Sequence, residues 1–187
     1  MEKHLILASN SPRRREILTQ KGFEFKVVKS DFEEAVENLS PENTVKQFAF
    51  SKAKDVFDKL ADKNAVVLGA DTVVSIDGQI LGKPKTKEDA SQMLLRLSGK
   101  THQVWTGYCI LLEGQSIVEA VKTDVVFNEL SSELIDEYVA TEKPMDKAGA
   151  YGIQDGFNLV KEYRGSYSNV VGLPIEEIED KLRELLK

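Results

Sequence analysis

The chain has little of what several kinds of chemistry require. Its 187 residues contain one cysteine, Cys109, and two histidines, His4 and His102. A single cysteine excludes an intrachain disulfide and any cysteine-based zinc site. The two histidines stand in no motif that would make a metal centre or a Ser-His-Asp triad, and both read as strand residues. No apolar run approaches the ~18 residues of a membrane span, and the N-terminus lacks the basic-then-apolar layout of a signal peptide. A cytoplasmic protein with no membrane partner is expected. Positive charge is also in deficit, 25 Lys and Arg against 31 Asp and Glu, for a formal net charge of -6. That argues against nucleic acid as a partner, which usually leaves a basic footprint, but not against a small polyanion held by a local cluster of cations. The usual nucleotide-loop fingerprints are missing too. Gly78 to Pro84 has a P-loop outline, but with one residue too few between its glycines and a proline where Ser or Thr would hold magnesium.

What is present suits one domain over residues 1–187, with 41% hydrophobic and 30% charged residues. The stretch Val66 to Pro84 organises it. Val66 to Leu68 is a short apolar strand ending at Gly69, Asp71 follows, and Thr72 to Ile76 enters Asp77-Gly78, a dipeptide suited to a two-residue hairpin. The return, Gln79 to Leu81, brings Lys83 back towards Asp71, so that carboxylate and ammonium share one end of a sheet. The competing reading is an Asp71 that caps a turn and a solvated Lys83.

Ser11 caps a helix with Pro12 at its first position, and Arg13, Arg14 and Arg15 crowd that first turn. Cations oppose the helix dipole there, at ~0.3–1 kcal/mol each, and an anion would remove the conflict. A solvated basic turn is the alternative. A second helix starts at Ser40-Pro41, and its periodicity puts Lys52 between Phe48 and Val56 in the apolar stripe, where an ammonium needs a partner unless it snorkels. Thr86, Ser131 and Pro174 open three more helices. Glu24 to Ser30, Thr101 to Leu112, Ser116 to Phe127, Leu159 to Tyr163 and Asn169 to Val171 read as strands. The loop Lys143 to Gln154, rich in small and polar residues, is suited to face a ligand. Arg13, Arg14, Lys52, Lys83 and Lys147 beside Gln154 thus supply cations for phosphates, and Glu34 and Asp71 carboxylates for a hard metal ion.

In order along almost the whole chain, Ser9-x-Ser11-Pro12-Arg13-Arg14, Gly69-Ala70-Asp71-Thr72, Leu81-Gly82-Lys83-Pro84, Leu97-Ser98-Gly99 with His102, Asp146 to Gln154, and Val171-Gly172-Leu173-Pro174 resemble the Maf family of nucleotide pyrophosphatases. The resemblance implies an α/β fold like that of inosine triphosphate pyrophosphatases, a long mixed β-sheet flanked by helices, with two lobes and a central cleft. It implies hydrolysis of a nucleoside triphosphate to monophosphate and pyrophosphate with a divalent cation, Mg2+ or Mn2+. By position, Asp71 matches the proton acceptor, Glu34 with Asp71 the metal ligands, and Ser9, Arg13, Arg14, Lys52 and Lys83 the polyphosphate site. Arg13, Thr72 and Gln154 match positions that distinguish substrates, in the pattern of the subgroup acting on dTTP and UTP. A regulatory nucleotide binder linked to cell division is the alternative. A homodimer could form through Trp105, Tyr108 and their hairpin.

Overall fold

The computed structural model describes residues 2–35 and 38–187. The central element is β3 (Ala65–Ile76), a 12-residue strand buried along nearly all its length. It runs unbroken through Gly69 and Asp71, where the sequence reading expected an interruption. Gly69 serves close packing instead of a turn. A Cβ there would lie 2.4 Å from the carbonyl oxygen of Ala49, and one at Gly107 would lie 2.3 Å from that of Val45. Both oxygens belong to α2 (Pro41–Leu60), whose backbone is therefore seated directly on the sheet.

Around β3 the sheet is mixed, in the order β2 (Phe25–Val27), β1 (His4–Leu7), β3, β5 (Thr101–Leu112), β6 (Gln115–Phe127), β7 (Val160–Arg164). The strands β2, β1 and β3 are parallel, and the rest pair antiparallel. β4 (Gln79–Leu81) folds back on β3 through Asp77 and Gly78, whose φ of 52° and 75° suit a type I′ turn. One consequence positions the site. β1 pairs with Ala65–Leu68 and β4 with Val74–Ile76 on the same edge of β3, so among the described residues no strand covers that edge between them. Asp71 is at the middle of the gap.

Helices cover both faces. On one, Ala49, Ala53 and Val56 of α2 pack against Ala65, Val67 and Cys109. On the other, α1 (Pro12–Gln20) and α6 (Ile175–Leu185) bury Leu18, Ile178 and Leu182 against Leu5, Leu68 and Ile110. Full burial of each such side chain contributes roughly 1.5–3 kcal/mol. Further along that face, α3 (Lys87–Leu97) and α4 (Ser132–Ala140) pack on Val74, Ile76, Val104 and Phe127. The caps follow local chemistry: Ser11, Ser40 and Ser131 accept from backbone N–H groups three residues on, and Thr86 forms a reciprocal capping box with Asp89.

Two expected strands change. Only Phe25–Val27 of Glu24 to Ser30 pairs in the sheet. Asn169 to Val171 belongs to a short helix, α5 (Tyr167–Val171), because Ser166 Oγ accepts from the Asn169 N–H as an N-cap. Tyr108 cannot contribute to a dimer surface, since it is fully buried with its hydroxyl against Glu119 and Lys181. Trp105 is half-buried.

His102 is fully buried in β5, edge-on to Phe127 and Tyr151, with Nε2 2.6 Å from the Tyr151 hydroxyl and Nδ1 without a partner. Burial lowers its pKa from 6.5 to about 4. Because the folded value is depressed, the neutral ring contributes stability that is complete above pH ~6.5 and is lost as pH falls towards 4.

Two stability predictions follow from this packing. Gly107→Ala is expected to cost about 3 kcal/mol and to lower Tm by ~6–12 °C, because backbone meets backbone, whereas Gly82→Ala, with open space around it, leaves Tm unchanged. Denaturation at pH 7 and pH 4.5 should show His102→Gln losing about 2 kcal/mol less than the parent between the two; equal losses would remove His102 from the acid response.

Candidate active site

A cleft of about 630 Å3 runs along the uncovered edge of β3. It is within the usual size range of a small-ligand site. The loop after β1 brings Ser9 to it, the N-terminus of α1 brings Arg13 and Arg14, and the turn after β4 brings Lys83. Glu34, Lys52, Asp71, Thr72 and Gln154 line it as well, so every candidate from the sequence meets in one place. Glu33, next to Glu34, does not line it.

Strand alternation separates the two neighbours at the gap. Asp71 shares the face of Gly69, on which α2 lies, and Thr72 projects to the other face. Because α2 is in backbone contact with the sheet, Lys52 reaches Asp71 without extending into solvent. Its Nζ is 2.8 Å from Asp71 Oδ1 and 2.7 Å from Glu34 Oε1, a bridge between the two carboxylates. The Lys52 side chain is 18% exposed and that of Asp71 9%. The ammonium in the apolar stripe therefore has its partners. Burial raises the Asp71 pKa above the ordinary carboxylate value and the Glu34 charge adds to this, against the attraction of Lys52 and Arg14. Partial burial also works against the Glu34 carboxylate, but the Lys52 hydrogen bond and the charges of Lys52 and Lys83 outweigh it and lower its pKa.

Asp71 Oδ2 is buried and has no hydrogen-bond partner. An orphaned carboxylate oxygen costs free energy, and a hard cation would satisfy it. Among the described residues no group of three or more His, Cys, Asp or Glu side chains converges to hold a metal ion. The donor set is therefore two carboxylates, which fits a cation that keeps water and phosphate oxygens for its remaining positions, as Mg2+ does.

On the other face Arg14 is locked. Its Nε donates to the Gly172 carbonyl at 2.7 Å, Nη1 to Ser9 Oγ at 3.1 Å and Nη2 to Thr72 Oγ1 at 3.0 Å. Burial lowers its pKa, opposed by the Asp71 charge. A guanidinium has five N–H groups, so two remain for an anion. Ser9 Oγ accepts from both Arg14 and the Ser11 N–H, which leaves its own proton for a ligand. Arg13 reaches the opposite wall, 3.6 Å from Asp146 Oδ2.

Lys147 departs from its expected role. Its Nζ donates to the Lys143 carbonyl oxygen at 2.6 Å and to Asp146 Oδ1 at 3.2 Å and is ion-paired with Asp155 Oδ2 at 3.2 Å, so its charge is already countered within its own loop. Asp155 also accepts from the Tyr138 hydroxyl at 2.6 Å, and that hydroxyl accepts from the Gly152 N–H. Lys147 is the clasp of the turn that carries Gln154, which is exposed to the cleft. Its sequence signal, a cation in a polar loop, does not distinguish a clasp from a ligand.

Several known proteins are similar to this chain over nearly its full length. A dTTP/UTP pyrophosphatase of Thermococcus onnurineus (strain NA1) is 52% identical over 182 residues, covering 97% of each chain. One of Bacillus anthracis is 44% identical over 184 residues, covering 97% of this chain and 95% of that one. Among solved structures, a dITP/XTP pyrophosphatase from Mycobacterium abscessus matches over 98% of each chain at 14% identity, with a TM-score of 0.48. The family described as Maf-like protein matches residues 4–185, and with relatives this similar over nearly its full length the chain belongs to that family.

Proposed function

We propose that this protein is a nucleoside triphosphate pyrophosphatase that hydrolyses dTTP and UTP to the monophosphate and pyrophosphate. The observation that carries the reading is Asp71, held by Lys52 in the one stretch of the β3 edge that no described strand covers and facing a cleft lined with cations. The names of its relatives supply the nucleotide class.

In this reading the polyphosphate is held by Ser9, Arg13, Arg14, Lys52 and Lys83, which counter the charge of the departing pyrophosphate. Water attacks the α-phosphorus, the bond from that phosphorus to the α–β bridging oxygen breaks, and Asp71 takes the proton of the water. Its raised pKa makes it a stronger acceptor than an ordinary carboxylate. Glu34 and Asp71 would hold a divalent cation, Mg2+ or Mn2+, which when bound acidifies water and neutralises phosphate charge. Gln154, on the clasped turn, offers an amide to the pyrimidine edge. A site that hydrogen-bonds one base rejects others by leaving its own groups unpaired. The reading places the protein in the cytoplasm, and the β5–β6 hairpin with Trp105 is the surface on which a homodimer would form.

Pyrophosphate release should be restricted to dTTP and UTP in a panel that includes CTP, dATP, GTP and 7-methyl-GTP. Asp71→Asn should reduce it about 10²–10⁴-fold while nucleotide binding survives; turnover unchanged in that variant would sink the assignment. Lys147→Met should weaken UTP binding about tenfold and leave the affinity for inorganic tripolyphosphate within about twofold. Equal losses for both ligands would return Lys147 to the phosphate site.

A further inference from the structure

Thr72 has its hydroxyl on the face of the sheet occupied by Arg14, and the strand register sets it opposite Thr106 of β5. The two hydroxyl oxygens are 2.8 Å apart. Thr106 is fully buried, and its Oγ1 is also 3.0 Å from the carbonyl oxygen of Asn169 in α5. Each hydroxyl has one proton to donate, and a carbonyl has none. Were the Thr106 proton directed at Thr72, two bare acceptor oxygens would face each other at 3.0 Å out of contact with water. Directed at Asn169, the proton fills that contact and leaves Thr106 to accept from Thr72. The protons therefore run inward, from Thr72 to Thr106 to the Asn169 carbonyl.

Thr72 is then left with lone pairs alone on its cleft side, and one of them accepts Arg14 Nη2. The carbonyl that ends the relay is itself fixed. It accepts the Gly172 N–H at 3.0 Å, and the Asn169 side chain donates to the Val104 carbonyl at 3.1 Å and to Thr123 Oγ1 at 2.9 Å. The same short segment supplies Gly172 O to Arg14 Nε. Two sides of one guanidinium are thus held by residues 169–172, one directly and one through the two threonines.

We propose that Thr106 is a positioning residue: its buried hydroxyl takes the Thr72 proton, so that Thr72 offers only hydrogen-bond acceptors to the cleft, and Thr72 so oriented aims the remaining N–H groups of Arg14 at the polyphosphate. The inference rests on the reading of the cleft as a nucleoside triphosphate site. It gives Thr72 a role in phosphate binding that requires no proton from its hydroxyl to the substrate.

The test compares kcat and KM for UTP, measured as pyrophosphate release, in the parent, Thr106→Val, Thr106→Ser, Thr72→Val and the double valine variant. Thr106→Val keeps the shape of the side chain and removes the relay. It is expected to raise KM about tenfold with a smaller change in kcat, while Thr106→Ser stays within about twofold of the parent. In the Thr72→Val background, adding Thr106→Val should change KM less than about twofold, because the effect travels through Thr72. Parent-like kinetics in Thr106→Val, equal impairment in the serine variant, or effects of the two valine substitutions that multiply would each overturn the proposal. Thr106→Ala replaces the valine variant if that chain does not fold. If the parent releases no pyrophosphate from any nucleotide, the functional reading has failed. The relay is then judged by calorimetric affinity for inorganic tripolyphosphate in the same variants, with the same criteria.

Discussion

The site depends on a contact that contains no functional group: the backbone of α2 lying against Gly69 of β3 and Gly107 of β5. Helices usually stand away from a sheet by the length of the side chains between them. Here two glycines remove that spacer, and the helix approaches until its carbonyl oxygens would collide with any Cβ. The approach brings Lys52 within 2.8 Å of a carboxylate in the middle of a buried strand. At ordinary spacing an ammonium in that register would have to leave the apolar stripe for water, and the buried Asp71 carboxylate would lose its hydrogen-bonded counter-ion.

A second constraint is topological. Because β1 and β4 divide one edge of β3 between them, the strand is interior at both ends and, among the described residues, open in its middle. Loops leaving the ends of β1 and β4 flank that opening, which is why Ser9, the arginines and Lys83 meet there. Alternation along the open stretch puts Asp71 on the α2 face and Thr72 on the other. Adjacent residues can therefore serve chemistry on one side and hold Arg14 on the other without competing for space.

Much of this was legible in the sequence. The capping serines, the Asp77-Gly78 turn and the β5–β6 hairpin carry their geometry in local chemistry, and the structure keeps each within a residue or two. Arg14 against a helix dipole and Lys52 in an apolar stripe were visible as conflicts, and a conflict marks where a partner must come from elsewhere. What was illegible has a common cause. Gly69 looked like a strand end because a glycine needed for a neighbour's backbone is indistinguishable, in one sequence, from a glycine needed for a turn. Asn169 to Val171 has strand-like side chains, and its helix is set by a cap at Ser166. Lys147 resembled a phosphate ligand because residue type says nothing about whether its charge is already countered within its own loop.

Thr106 belongs to the same class and is the hardest to read. A threonine in a strand is where β propensity puts it, so nothing local marks it as more than a β-branched packing residue. Its importance comes from proton count: one donor, a carbonyl that can only accept, and a neighbouring hydroxyl whose orientation is thereby decided. Arg14 illustrates the gain. Its binding face is set by three acceptors drawn from β3, the loop after β1 and the turn after α5. Losing any one would leave the charge in place and change only where its protons point. A guanidinium recognises phosphate through that fork geometry as well as through charge, so substrate binding is controlled by groups that the substrate never touches.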